Sequence, residues 1–142
     1  MIKKTASVSP EREESLCPCK SRLTYGTCCM PLHHGKVKPE TAEQLMRSRF
    51  SAYFFRQVDY LLNTTHPETR EPGLKQELTK VIYQVNWSYL TILNVSKGGR
   101  EDKTGKVEFV ANYFVNGEPL ELHEHSRFKR FKGVWKYLDD KG

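Results

Sequence analysis

The four cysteines of the chain all fall within thirteen residues, Cys17-Pro18-Cys19-Lys20-Ser21-Arg22-Leu23-Thr24-Tyr25-Gly26-Thr27-Cys28-Cys29. Two cysteines one residue apart, a polar loop and two adjacent cysteines can bring four sulfurs around one point if the loop folds back on itself. Four thiolates at one point form the ligand set of a tetrahedral zinc ion. Such a closed shell leaves no position for water or substrate, so the expected chemistry is the folding of a segment, not turnover. The spacing differs from that of the ordinary finger or ribbon, which places two residues between the members of each pair. Other thiol chemistry must therefore be weighed. A bridge from Cys28 to Cys29, or from Cys17 to Cys19, would close a strained ring, whereas Cys17 with Cys28 and Cys19 with Cys29 is an open geometric alternative. A thioredoxin-type pair would want Cys-x-x-Cys at the start of a helix in a βαβ unit, and neither is present. The start Met1-Ile2-Lys3-Lys4-Thr5-Ala6 has lysines with no apolar stretch behind them. A reducing, cytoplasmic compartment is therefore expected, where disulfides are disfavoured. Lys20, Arg22, Lys36 and Lys38 lie close in sequence, and nearby cations ease thiol deprotonation.

A second group with chemical content is Glu121, His123 and His125. Alternate positions on a strand share one face, and two histidines with a carboxylate suit a metal or acid–base work, with Tyr113 of the neighbouring strand able to join. The bland reading is a solvated face, since Leu120, Leu122 and Phe128 on the other side look like core and no nucleophile with a partner accompanies the trio. His66, before Pro67, sits at a helix end, where hydrogen bonding to backbone is the commoner role. From Ser126 to Lys136, five cations interleave with Phe128, Phe131 and Trp135. That pattern fits a nucleic-acid platform, and more commonly a hairpin with an aromatic inner side and a lysine-rich outer side. No phosphate-binding glycine loop or hydrolase elbow is present.

These side chains need elements to position them. Residues 1–15 are polar and read as a flexible tail with a short helical turn. Pro31, Gly35 and Pro39 punctuate the link from the cysteines to the first long helix, which starts at Glu40 or Thr41. Ala42, Leu45, Met46, Phe50, Tyr53 and Phe54 recur at helical spacing up to about Gln57. Arg47, Arg49 and Arg56 are expected on its solvated face, the sharper alternative being an arginine turned inward to a carboxylate or ligand. Val58–Asn63 reads as a short helix, and Leu74, Leu78, Val81, Ile82 and Val85 mark a third. From Trp87 the period changes to two. Strands are expected over 87–95, 106–115, 119–131 and 134–138, with tight turns at Lys97-Gly98-Gly99-Arg100, Asn116-Gly117 and Lys132-Gly133. Helices followed by a four-stranded antiparallel meander define an α+β fold in which a curved sheet wraps helices.

With 142 residues and 37% hydrophobic content, the chain suits one domain with a core plus a short appendage. Its 23 basic and 17 acidic residues give +6, unevenly spread: residues 1–39 hold seven Lys or Arg against three Glu. A basic arm permits contact with an acidic partner. No run approaches the roughly 20 apolar residues of a membrane span.

Cys-x-Cys, eight residues, then Cys-Cys resembles the SEC-C motif, a zinc hook also found at the C-terminus of the bacterial preprotein translocase ATPase. The likeness continues through Met30-Pro31-Leu32-His33-His34-Gly35, Thr41 to Tyr53, Tyr60-Leu61-Leu62 to His66-Pro67, Val107 to Ala111 and His123 to Phe128. Together these resemble the YchJ family of small bacterial SEC-C proteins. The resemblance implies one structural zinc on Cys17, Cys19, Cys28 and Cys29. It also implies a cone-shaped, nuclear transport factor 2-like (NTF2-like) second part. The motif usually has Gly-Ser-Gly after its second cysteine; here Lys20-Ser21-Arg22 stands there, leaving every ligand in place. The expected organisation is a tail at 1–15, a hook at 16–35 and an α+β domain at 36–142. Two functions follow as expectations. One is a non-catalytic adaptor whose basic hook touches a protein partner, with nucleic acid or the ribosome as other partners, since the translocase hook is associated with chaperone and ribosome contact. There Lys20, Arg22, Tyr25 and Lys36 would be the exposed groups. The other is a small-molecule carrier or enzyme using the cone pocket, lined by His66, Trp87, Tyr113 and His123.

Overall fold

A computed structural model describes residues 10–142. Most of the segment expected as a tail, residues 1–9, lies outside the described residues. A short helix, α1 (Pro10–Glu14), leads into the cysteine segment, which contains a 3-10 turn (Tyr25–Thr27) and α2 (Met30–His33). Then come α3 (Ala42–Phe54), α4 (Val58–Asn63) and α5 (Leu74–Gln84), followed by β1 (Asn86–Lys97), β2 (Thr104–Val115), β3 (Glu118–Phe131) and β4 (Val134–Asp139). The strands form one antiparallel sheet in the order β1-β2-β3-β4.

The sequence explains these limits. The Thr41 hydroxyl accepts the Gln44 N–H at 3.1 Å, and the Gln44 side chain accepts the Glu40 N–H at 2.7 Å, a reciprocal cap that starts α3. Asn116 and Gly117 both have positive φ, as a two-residue hairpin between Val115 and Glu118 requires, and Lys132-Gly133 repeats this between Phe131 and Val134. Register shifts in β1, between Trp87 and Tyr89 and between Ile92 and Asn94, curl the sheet around the helices.

The inner faces meet in two apolar clusters. Leu45, Met46 and Phe50 of α3 pack on Leu90, Val107, Phe109, Phe128 and Trp135 of the sheet, while Ala52, Leu61, Leu78 and Ile82 join α3, α4 and α5. Cys17, Cys19, Tyr25 and Cys29 form a third buried cluster, against Met30 and Phe55. One expectation about α3 needs correction. Arg49 is not on a solvated face: it is 6% exposed, on the apolar stripe one turn from Leu45, and its Nη1 donates to Leu61 O at 2.9 Å and to Thr64 Oγ1 at 2.7 Å. Arg47 is half-buried on the cysteine segment, and only Arg56 of the three stays exposed.

Among the described residues, no helix is long and apolar enough to cross a membrane.

Candidate metal centre

The loop between the cysteine pairs folds back through short-range hydrogen bonds. Cys17 N–H donates to Leu23 O at 2.8 Å, Lys20 N–H to Cys17 O at 3.2 Å, and Cys28 N–H to Tyr25 O at 3.1 Å across the 3-10 turn. Lys20 (φ 67°) and Arg22 (φ 76°) both adopt the left-handed conformation. These are the two positions at which the motif usually carries glycine, so the tight loop is kept here by non-glycine residues at a conformational cost.

The fold brings all four sulfurs together, each within 4.8 Å of the others. Cys19 Sγ lies 3.6 Å from Cys28 Sγ, which lies 3.8 Å from Cys29 Sγ. A tetrahedral ion with metal–sulfur bonds of about 2.3 Å separates its ligands by about 3.8 Å, so the spacing fits a zinc-sized ion. All four cysteines are free thiols. Cys17, Cys19 and Cys29 are buried, Cys28 is half-buried, and the Ser21 hydroxyl lies 3.1 Å from Cys28 Sγ. Hydrogen bonds from Cys17, Cys28 and Cys29 hold the Cys19 thiol well below the ordinary range, while hydrogen bonding to the other three sulfurs, with burial adding, pushes Cys29 far up. A cation at the centre removes that conflict, because each sulfur then gives its lone pair to the metal.

The centre is fastened to α3 by polar contacts. Arg47 Nη1 donates to Cys19 O at 2.6 Å, and Cys17 Sγ lies 3.9 Å from Ser51 Oγ. Beside them runs a relay that nothing in the spacing foretells. Gln57 Nε2 donates to the Tyr25 hydroxyl at 3.1 Å, Tyr25 donates to His33 Nδ1 at 2.6 Å, and His33 Nε2 donates to Ser48 O at 2.8 Å. Because a carbonyl can only accept, the proton of the neutral His33 ring sits on Nε2. Burial drives His33 down to about 4 and pushes Tyr25 up to about 12. Tyr25, expected as an exposed group, is 1% exposed and belongs to this inner face. Lys20, Arg22 and Lys36 are exposed.

The other candidates scatter. Trp87 and Tyr113 are neighbours on the inner side of the sheet, ring centroids 4.8 Å apart. His66 is 5% exposed at the end of α4, where its Nδ1 accepts the Glu68 N–H at 3.0 Å and its ring stands against Phe131. His123 lies on the outer face of β3, and Glu108 of β2, rather than Glu121, completes the group with His123 (2.7 Å) and His125 (3.4 Å). Thus the four expected lining residues do not share one cavity. In the Ser126–Lys136 segment, Phe128 and Trp135 are buried, and four of the five cations are engaged internally: Arg127 with Asp139, Lys129 with Glu68, Arg130 with backbone carbonyls, and Lys136 with Asn63 O, while the Lys132 ammonium lies 5.4 Å from the centre of the Phe131 ring.

Comparison with known proteins matches two parts of the chain. The family description "YchJ, middle NTF2-like domain" matches residues 41–140, and the SEC-C motif matches residues 15–31. A UPF0225 protein of Serratia proteamaculans is 40% identical over 126 residues, covering 87% of this chain and 81% of that protein. One from Geobacter sulfurreducens is 36% identical over 128 residues, covering 90% of this chain and 80% of that protein. Among solved structures, the SEC-C motif protein RPA3114 of Rhodopseudomonas palustris superposes with a TM-score of 0.79 at 31% identity, covering 87% of this chain and 94% of that one. A SEC-C motif protein of Psychrobacter arcticus shares the fold, with a TM-score of 0.76 at 24% identity over 92% of this chain and 84% of that one. With a four-cysteine hook seated on the first long helix of an NTF2-like domain, the chain belongs to the YchJ-like UPF0225 family of SEC-C motif proteins.

Proposed function

We propose that Cys17, Cys19, Cys28 and Cys29 hold one structural zinc ion, and that the metal-locked hook is a non-catalytic docking surface for an acidic segment of a protein partner. Four protein ligands close the coordination shell, so the ion would act on conformation alone. The observation that carries the docking reading is the outer side of the hook. Leu16 is 70% and Leu23 53% exposed, although both flank the buried cysteine cluster. Leu16, Lys20 and Arg22 border one shallow depression with Phe54 and Tyr89, which are 44% and 50% exposed, and among the described residues no carboxylate lines it. Apolar groups ringed by cations on a surface suit a partner that offers apolar side chains among acidic ones. The likeness to the translocase hook supports the same reading.

The test combines metal content with site-specific photo-crosslinking from position 23 in bacterial cells. One zinc per chain, and crosslinks to a discrete protein that fade in Lys20→Glu/Arg22→Glu and in Cys28→Ser, is the expected result. Crosslinks to nucleic acid, or none in any variant, would overturn the docking reading; absence of zinc would overturn the metal.

A further inference from the structure

Between α3 and the inner face of the sheet lies a cavity of about 170 Å³, away from the hook. Phe50, Phe109 and Leu122 give it apolar walls, and Arg49, Trp87, Glu124 and Ser126 bring polar groups to the same space. Two of those polar groups are orphans. Trp87 Nε1 and Ser126 Oγ are buried with no hydrogen-bond partner among the described residues, and Ser126 is 1% exposed. Each buried polar atom left unpaired costs about 1–3 kcal/mol, and native folds keep few of them. Both residues line the one cavity, which is where an acceptor for them would sit.

The charge at the site points the same way. Arg49 is 6% exposed; its Nη1 donates only to neutral oxygens, those of Leu61, Thr64 and Thr65, and its guanidinium stacks 4.5 Å from the centre of the Tyr137 ring. Among the described residues no carboxylate is in ion-pair contact with it. A buried cation held by neutral dipoles alone is left wanting an anion. Glu124 lines the same cavity but makes no ion pair with Arg49, and burial, with Asp140 adding, raises its pKa.

We propose that this cavity binds a small organic anion, a carboxylate on a compact apolar body, held by Arg49, the Trp87 indole N–H and the Ser126 hydroxyl. Its size sets the scale. At about 170 Å³ it is smaller than the roughly 300–1,000 Å³ of drug-sized sites, so the ligand is a single-ring or short branched-chain acid. The site is independent of the hook metal, since no cysteine lines the cavity.

The two tryptophans make the test direct, because Trp135 Nε1 already donates to Glu40 O at 3.2 Å and serves as the internal control. Benzoate and isovalerate, with benzamide and benzylamine as neutral and cationic counterparts, are titrated into the full-length protein while the two indole N–H resonances are followed by NMR. The expected result is a saturable downfield shift of the Trp87 signal with at least one carboxylate, little movement of Trp135, and weaker or no response to the amide and amine. Ser126→Ala, which should fold because it removes an unpaired hydroxyl, should weaken carboxylate binding roughly five- to tenfold. Arg49→Met should abolish it, but this variant also loses structural bonds, so the serine variant carries the decision. No saturable shift with either acid, an equal response to benzylamine, or unchanged affinity in Ser126→Ala would each overturn the assignment.

Discussion

His33 Nε2 donates to the carbonyl oxygen of Ser48 across 2.8 Å, joining the end of the hook to the middle of α3 through a ring whose other nitrogen accepts from Tyr25. The bond has a mechanical meaning. The hook is held to the domain by a neutral imidazole that must donate on one side and accept on the other, and protonation would remove the acceptor.

A pH dependence follows. Burial lowers His33 from an ordinary 6.5 to about 4. Between these values the unfolded chain takes up a proton that the folded chain refuses, so stability is full above about pH 6.5 and falls as pH drops toward about 4. The loss approaches roughly 3 kcal/mol across that window, at about 1.4 kcal/mol per pH unit. Acid release of the proposed zinc ion would act in the same direction, so denaturation of wild type is compared with His33→Gln, which keeps a donor and an acceptor but cannot titrate. The variant should show the flatter pH profile. An NMR titration in which the His33 ring protonates near pH 6.5 in the folded protein would refute the assignment.

The left-handed residues of the hook give a second prediction. A non-glycine residue in this conformation costs about 1–2 kcal/mol, part of which glycine returns through its greater unfolded entropy. Arg22→Gly should therefore stabilise the hook by about 0.5–1 kcal/mol, read as slower metal transfer to a chelator. Lys20→Gly should be near neutral, since it also removes the stacking of the Lys20 ammonium 4.4 Å above the Tyr89 ring. Arg22→Ala, without the glycine freedom, should gain nothing. Faster metal transfer in Arg22→Gly would count against the argument.

Much of this architecture is legible in the residues, and the exceptions have physical reasons. The cysteine cluster declares itself because thiols so crowded have few uses, and the hairpins do so because Asn116-Gly117 and Lys132-Gly133 match one turn type. Glu108 was legible too: counting back from the two-residue Asn116-Gly117 turn pairs it with His125, a step that reading each strand alone does not take. Arg49 lies one turn after Leu45 on the apolar stripe, but its charge argues for solvent, and its burial depends on the carbonyl and hydroxyls at the end of α4 and on the Tyr137 ring, which its own spacing does not announce. The link from His33 to Ser48 has no local signature. It exists only when two elements distant in sequence meet.

Metal removal tests how far the hook and the domain depend on each other. The apolar clusters of the domain contain no cysteine. Cys28→Ser should lower bound metal and raise amide exchange across residues 16–35, with β2 and β3 keeping their protection, as the proposed boundaries of 16–35 and 36–142 require. Loss of protection in β2 and β3 as well would show one cooperative unit and sink that division.

The seat of α3 is set by two glycines. Ala42 N–H donates to Gly98 O at 2.9 Å, and Gly98 N–H donates to Thr104 O at 3.1 Å, so the start of the helix rests on the backbone where β1 passes into β2. A Cβ on Gly105 would collide with Gly98 Cα, lie 2.8 Å from its nitrogen and stand 3.3 Å from Ala42 Cβ. None of these is the yielding tip of a long side chain, so relief requires α3 or the β1–β2 turn to move. Gly105→Ala should thus lower stability by about 2 kcal/mol or more, seen as a lower denaturation midpoint with an unchanged slope. Gly73→Ala, where nothing stands within 4 Å of the added carbon, should stay within about 0.5 kcal/mol of wild type. Because α3 carries Ser48 to the hook and Arg49 to the cavity, Gly105→Ala should also disturb the His33 and Trp87 ring signals, which lie on different sides of that helix's contacts. Equal stability of the two alanine variants would mean that the close approach at Gly98 does not fix the helix.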